Sequence, residues 1–203
     1  MRPRHIGLLV GGAFAIVLTL VGFTALVKSR QSTPAGQVVT GVASIGGPFT
    51  LTRSDGKAVT ERDFLGKPTA IFFGFTFCPE VCPTTLYELS GLIKELGPEA
   101  EKMNFAFVSV DWGRDGPKEM ASYLSAFDGR IQGLSGTEAE IEIVTKAYRV
   151  YYKRVPVEGG DYTIDHTASV YLMDGKGQFI GTLAYGEARD TMLEKLKRLV
   201  AGA

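Results

Sequence analysis

An α/β fold built on a mixed sheet flanked by helices follows from three observations in the sequence. Two uncharged apolar runs, 69–77 and 103–110, have the length and the aromatic and β-branched content of strands buried on both faces. Each run precedes a stretch with helical spacing. Near the C-terminus the pattern reverses: the run 168–173, the turn Asp174-Gly-Lys-Gly177 and the run 179–183 read as an antiparallel hairpin that feeds a last amphipathic helix.

Ile6 to Val27 spans 22 positions without a charged residue, long enough as a helix to cross a hydrocarbon core of about 30 Å. Arg2 and Arg4 lie before it, Lys28 and Arg30 after it, a weak bias toward the N-terminus inside. We therefore expect residues 1–30 to form an N-terminal membrane anchor, a transmembrane helix over about 6–27. A cleaved signal peptide is the rival reading, but its apolar region is normally about 7–15 residues long, and Ala25-Leu-Val27 makes a poor cleavage site. Residues 31–47, rich in Gly, Ser, Thr and Pro, read as a linker, and 48–203 as the folded domain.

Within that domain Phe49-Thr-Leu-Thr, the turn Ser54-Asp-Gly-Lys57 and Ala58-Val59 form an N-terminal hairpin extension. The strand 69–77 follows, then a short turn and a helix beginning near Pro83, with Leu86, Leu89, Leu92, Ile93 and Leu96 on one face. After the strand 103–110 comes a helix from Pro117 to Phe127, opened by proline in its first turn. Ile131 to Leu134 is a short strand, Glu138 to Tyr148 a helix, and Arg189 to Val200 the final helix. Strand, helix, strand, helix, hairpin, helix is a thioredoxin-like order. In open sheets of this kind sites gather at the carboxyl ends of the strands, where this chain has Cys78-Pro-Glu-Val-Cys82 after one strand and Asp111-Trp112 after the other.

Cys78 and Cys82 are the two cysteines of the chain. Side chains four apart share a helix face, so the two thiols converge if the turn between them is near-helical. A helix N-terminus favours thiolate over thiol, and thiolate is both nucleophile and soft-metal ligand, with copper(I) the matching ion and an added imidazole extending the match to copper(II). The residues alone leave a metal site, a disulfide, or both open. Of the two histidines, His5 lies in the N-terminal tail. His166 lies in Tyr162-Thr-Ile-Asp-His-Thr167, a polar loop entering the strand 168–173, roughly where a thioredoxin places a proline against its sulfurs. That position makes His166 the candidate third ligand.

Charge narrows the partners. Residues 1–30 carry four Lys/Arg and no acid, which leaves 18 basic and 22 acidic residues and a net charge of −4 on the rest. Phosphate binding needs a basic footprint, so no nucleic acid is expected as a partner. Outside the cytoplasm, where an N-in anchor would place the domain, a cysteine pair stays oxidised unless it is reduced or occupied by metal.

The segments FTFCPEVCPTT, VSVDWGRDGP, AYRVYYKRVP and YTIDHTASVYLMD resemble the Sco (SenC) family from about Gly46 to the C-terminus, in order, with the anchor before them. The resemblance implies a membrane-anchored, thioredoxin-like metallochaperone with Cys78, Cys82 and His166 as copper ligands. Its implied work is assembly of the dinuclear copper centre of cytochrome c oxidase. The implied partners are the copper-site subunit of the oxidase and other copper chaperones or thiol reductants. The implied location is a bacterial-type inner membrane with the domain in the periplasm, or the mitochondrial inner membrane facing the intermembrane space. The same Cys78 and Cys82 would be the catalytic pair if the protein instead reduced a partner's disulfide, the second reading. A peroxidase is a poorer match, since neither cysteine has Thr or Ser three residues before it; a redox or copper sensor is a fourth reading.

One departure from the family is Trp112, where Asp-Pro is common. Trp112 either packs over the site, docks a partner or covers its own loop. Asp165 either orients His166 or is a solvated turn acid, with the second favoured. Asp111 and Asp115 are expected to cap the turn and the helix near Pro117, and Tyr148, Tyr151 and Tyr152 to pack.

Overall fold

The structure, a computed structural model, describes residues 45–202. The expected anchor, His5 and most of the expected linker lie outside them. Among the described residues no helix is long and apolar enough to cross a membrane.

The chain forms β1 (Thr50–Arg53), β2 (Ala58–Thr60), β3 (Thr69–Gly74), α1 (Val81–Leu96), β4 (Asn104–Ser109), α2 (Pro117–Leu124), β5 (Ile131–Ser135), α3 (Glu138–Ala147), β6 (Tyr152–Pro156), β7 (Tyr162–His166), β8 (Val170–Met173), β9 (Phe179–Leu183) and α4 (Arg189–Ala201). Short 3-10 turns at Glu61–Phe64 and Gly97–Lys102 join the hairpin to β3 and α1 to β4. Seven strands make one mixed sheet in the order β2-β1-β5-β4-β3-β8-β9, and β6 and β7 make a separate two-stranded sheet. β3, β4 and β5 are parallel, whereas β8 and β1 run antiparallel to their neighbours β3 and β5. This is the thioredoxin-like α/β fold, with the N-terminal hairpin added beyond β5.

Burial follows the sequence pattern. Every residue of β3 is buried, and five of the six in β4 are, as expected for central parallel strands covered on both faces. α1 buries Leu86, Leu89, Leu92, Ile93 and Leu96 at helical spacing and packs against α4. Each fully buried leucine contributes about 2 kcal/mol, so tertiary packing outweighs the few tenths of a kcal/mol per residue by which helix propensities differ. α3 is fixed at its start by a capping box: the Glu140 amide donates to Thr137 Oγ1, and the Glu140 carboxylate accepts from the Thr137 amide at 2.7 Å.

Three of the differences from the sequence pattern have a local reason. β3 stops at Gly74 rather than Phe77, because the Thr76 amide donates to the buried Asp115 carboxylate at 2.8 Å instead of to the sheet. α1 begins at Val81, two residues before Pro83; a first-turn amide has no partner within the helix, so proline costs little there. Tyr162–His166, read as a loop, is strand β7, whose partner β6 is joined to it through Gly159 and Gly160 at φ +91° and +82°. His166 therefore ends a strand, and β8 starts four residues later.

Candidate metal centre

The site lies at the carboxyl end of β3. Phe75, Thr76 and Phe77 lead out of the strand, and the Cys78–Glu80 turn leads into α1. The N-cap residue Glu80 makes no side-chain cap bond. Cys78 does that work instead: the Cys82 amide donates to Cys78 Sγ at 3.4 Å. One of the unpaired donors of the helix start thus faces sulfur, where it favours thiolate.

Cys82 sits on the inward side of the same turn. It is fully buried, whereas Cys78 is partly exposed, and both are free thiols. Gly74 makes the seat for Cys82, since a Cβ there would stand 2.6 Å from Cys82 Sγ and 2.8 Å from the Phe107 ring. The only side chain that leaves room for the sulfur at that position is hydrogen.

His166 comes from the opposite side on β7. Its Nδ1 lies 3.0 Å from the Thr167 carbonyl. A carbonyl oxygen can only accept, so Nδ1 carries the hydrogen, and in the neutral ring Nε2 presents its lone pair. Nε2 stands 3.4 Å from Cys82 Sγ. Thr167 is itself clamped, its amide donating to the Tyr151 carbonyl and its hydroxyl accepting from the Tyr151 amide. Phe72 and Phe75 close the walls in edge-to-face arrangement, their ring centroids 6.0 and 5.8 Å from that of the imidazole.

The ligand atoms of Cys78, Cys82 and His166 all lie within 4.8 Å of one another. That separation makes the two thiols electrostatically unequal. The Cys82 thiol, acting as donor, holds Cys78 far below an ordinary thiol, at about 4; the Cys82 and Glu80 amides add to this against partial burial. Cys82 is pushed up, first as donor to Cys78, then by burial and by the Cys78 charge. The pair therefore favours a thiolate at Cys78 beside a thiol at Cys82. Two sulfurs and one nitrogen converging on a small volume fit a soft or borderline metal ion.

The neighbouring acids do work that sequence spacing did not reveal. Asp111 and Asp115, expected to cap a turn and a helix, leave α2 uncapped by any side chain. Asp115 accepts from the Thr76 amide, Thr76 Oγ1 and Ser109 Oγ at 2.8, 2.6 and 2.6 Å, fastening the cysteine loop to the end of β4. Asp111 accepts from Arg114, Arg154 and Tyr162. Asp165 is exposed and does not hold His166 Nδ1. Trp112 is partly buried and lies under the Arg154 guanidinium, 4.0 Å from its ring centroid, with the Tyr152 ring edge-on at 6.0 Å. Tyr148 packs among Phe49, Phe73 and Tyr171, while Tyr151 is largely exposed. Gly74, Arg114, Arg154 and Tyr162 were not singled out by the sequence reading. The signal that could have found the last two is the Gly159-Gly160 turn between two alternating stretches, a hairpin signature.

Known proteins share this arrangement of elements. A family model described as SCO1/SenC matches residues 37–201. The mitochondrial protein SCO1 homolog 1 of Arabidopsis thaliana is 40% identical over 151 residues, which is 74% of this chain and 45% of that protein, so the chain spans less than half of that relative's length. Bradyrhizobium japonicum ScoI, solved with copper bound, superposes with a TM-score of 0.73 at 51% identity, covering 77% of this chain and 99% of that one. Yeast Sco1 with copper bound gives a TM-score of 0.73 at 37% identity, over 79% and 90% of the two chains.

Proposed function

The chain belongs to the SCO1/SenC family, and from that premise we propose that it is a copper metallochaperone whose cargo is held by Cys78, Cys82 and His166. The observation that carries this reading is the convergence of two sulfurs and one imidazole nitrogen within 4.8 Å. Copper-bound structures of relatives at 51% and 37% identity support the choice of metal. The destination is the dinuclear copper centre of cytochrome c oxidase, and the partners are its copper-site subunit and the carriers or reductants that load this protein. The uncharged run Ile6–Val27 supports a single-pass anchor, with 31–47 as linker and 48–203 as the domain outside the cytoplasm. On this reading the domain faces the periplasm from a bacterial-type inner membrane, or the intermembrane space from the mitochondrial inner membrane.

A second reading is thiol–disulfide exchange on the cysteines of that copper site. It is supported by the contrast between a partly exposed, low-pKa Cys78 and a buried Cys82. The exposed thiolate would attack a partner disulfide and the buried thiol would resolve the mixed disulfide.

X-ray absorption on copper-loaded protein tests the first reading. Two sulfurs and one nitrogen in the first shell are expected, and a shell without sulfur overturns it. Offering copper-loaded and reduced metal-free protein separately to oxidised and reduced oxidase subunit then decides between the two roles. A metallated centre from loaded protein and reduced subunit supports delivery. Conversion of oxidised subunit by the metal-free protein supports exchange.

A further inference from the structure

The hairpin that carries His166 is not part of the main sheet. β6 and β7 pair with each other, with Tyr152 opposite His166 and Arg154 opposite Ile164. The two cysteines, by contrast, are fixed by β3 and α1. The distance between the sulfurs and the imidazole is therefore set by whatever holds the hairpin against the cysteine loop.

A stack of rings and guanidinium groups runs between them. The Arg154 carbon Cζ lies 4.0 Å from the Trp112 centroid and 4.6 Å from that of Tyr162. Arg114 Cζ lies 3.8 Å from the Tyr162 centroid on one side and 4.6 Å from Phe77 on the other, with Phe75 at 6.0 Å. Phe77 adjoins Cys78, and Phe75 meets His166 edge-on at 5.8 Å. Asp111, with no exposed side-chain surface, ties the stack together: it accepts from Arg114 Nε, from Tyr162 Oη at 2.7 Å and from Arg154 Nη2 at 3.4 Å. Arg114 also donates through Nη1 to the Tyr162 carbonyl and to Asp161 on the hairpin, at 3.0 and 3.1 Å. Gly113 lets the groups approach, because a Cβ there would lie 3.2 Å from Arg154 Nη2 and 3.3 Å from Tyr162 Oη.

Arg114 is the member that touches both sides, through Phe77 and Phe75 on the cysteine side and through Tyr162 and Asp161 on the histidine side. Among the described residues its Nη2, like Arg154 Nε, finds no acceptor. The stack, a strap between the hairpin and the cysteine loop, is thus incompletely satisfied. The His166 side of the site is the side with no strand pairing to the main sheet.

We propose that Arg114 is a positioning residue: by stacking between Tyr162 and Phe77 over buried Asp111, it holds the His166 hairpin against the cysteine loop and so decides how well the third ligand is presented. The inference rests on the copper reading above and adds a residue to it. Two thiolates alone can hold copper(I), while copper(II) draws on the imidazole as well. Loosening the strap therefore weakens copper(II) and spares copper(I).

The test uses the full chain and three variants. In Arg114→Ala, copper(II) affinity falls by about tenfold or more, the range for groups that orient a metal ligand, while copper(I) affinity is unchanged. In Tyr162→Phe, which keeps the ring and loses the donor to Asp111, the shift has the same sign and is smaller. In the His166→Ala background, Arg114→Ala has no further effect on copper(II), because no imidazole remains to position. A metal-free readout runs beside these: hydrogen exchange at the amides of 152–166 speeds up in Arg114→Ala and in Tyr162→Phe, while exchange in α1 does not. Should Arg114→Ala fail to fold, Tyr162→Phe and Gly113→Ala carry the same comparison.

Wild-type copper(II) affinity in the strap variants overturns the proposal, as does an equal loss for both ions that persists without His166. If the wild-type chain binds neither ion through sulfur, the copper reading has failed. Hairpin exchange then still reports on the strap, and unchanged exchange refutes it.

Discussion

His166 Nε2 stands 3.4 Å from Cys82 Sγ, although 84 positions separate the two residues in the chain. The contact joins two differently built parts, a helix start rooted in the main sheet and a hairpin outside it. Its chemistry is asymmetric as well. The sulfur sits on Gly74 with no solvent exposure, and the imidazole is aimed by one hydrogen bond to Thr167. Removing the imidazole leaves the sulfur pair where it is, because nothing in the Gly74 seat depends on β7.

That separation makes the effect of His166→Ala selective. Copper(II) affinity falls by at least about tenfold, whereas copper(I), held by the two sulfurs, changes little. Competitive titration of each oxidation state against a chelator of known strength measures the two numbers. Equal losses would mean that the imidazole supports the sulfurs rather than serving as a ligand.

The two thiols differ in reactivity with pH. Cys78 is held near 4, first by the Cys82 thiol, while Cys82 is pushed above the usual thiol range, first by donating to Cys78. Thiolate is the form that alkylates, so at pH 6 iodoacetamide modifies Cys78 and spares Cys82 in the folded metal-free protein. The linkage has opposite signs at the two positions. The depressed Cys78 value contributes stability that is present above the unfolded thiol pKa and lost as pH falls through about 4. The raised Cys82 value contributes stability that is present below the unfolded pKa and lost in the alkaline range. Mass spectrometry of the labelled peptides over pH 4 to 8 checks the order, and preferential labelling of Cys82 would refute it.

Much of this was legible in the chain because it was local. The apolar runs of β3 and β4 and the leucine spacing of α1 follow from periodicity, and Cys78 and Cys82 follow from their spacing at a strand-to-helix turn. His166 was identified by its place before β8, although the strand it belongs to was read as a loop: its alternation is short, and Asp165 and Tyr162 gave it a polar look. Arg114, Asp111 and Gly74 were illegible for a different reason. Each acts through partners from other segments, and their meaning appears only when β4, the hairpin and the cysteine loop are brought together.

Gly74→Ala tests the seat of Cys82. The added Cβ meets Cys82 Sγ at 2.6 Å and the Phe107 ring at 2.8 Å, both in a core that is fully buried. Overpacking of this kind costs about 1–3 kcal/mol, and the side chain free to yield is Cys82, since Phe107 is stacked on Phe72 at 5.7 Å. Denaturant unfolding should show the loss of stability, and affinities for copper(I) and copper(II) should fall together, unlike the selective pattern at His166. A selective loss of copper(II) alone would place the seat under the wrong ligand.

Asp115→Ala loosens the cysteine loop from beneath. The carboxylate takes three hydrogen bonds, from the Thr76 amide, the Thr76 hydroxyl and the Ser109 hydroxyl, and is 1% exposed. Alanine leaves three donors without their acceptor at a largely buried site, and a single stranded buried donor costs about 1–3 kcal/mol. The Thr76 amide is the one that cannot rotate away, because β3 fixes the backbone two residues before it. The loop from Thr76 to Cys78 therefore loses its register while the helix from Val81 stays packed through Leu86 and Leu89. The expected result is a large fall in unfolding free energy, with faster hydrogen exchange at residues 76–80 than in α1 and a weaker hold on copper(I). Asp115→Asn keeps one acceptor oxygen and should recover part of both. Full copper(I) affinity in Asp115→Ala, with unaltered exchange in the loop, would show that the helix alone orients Cys78.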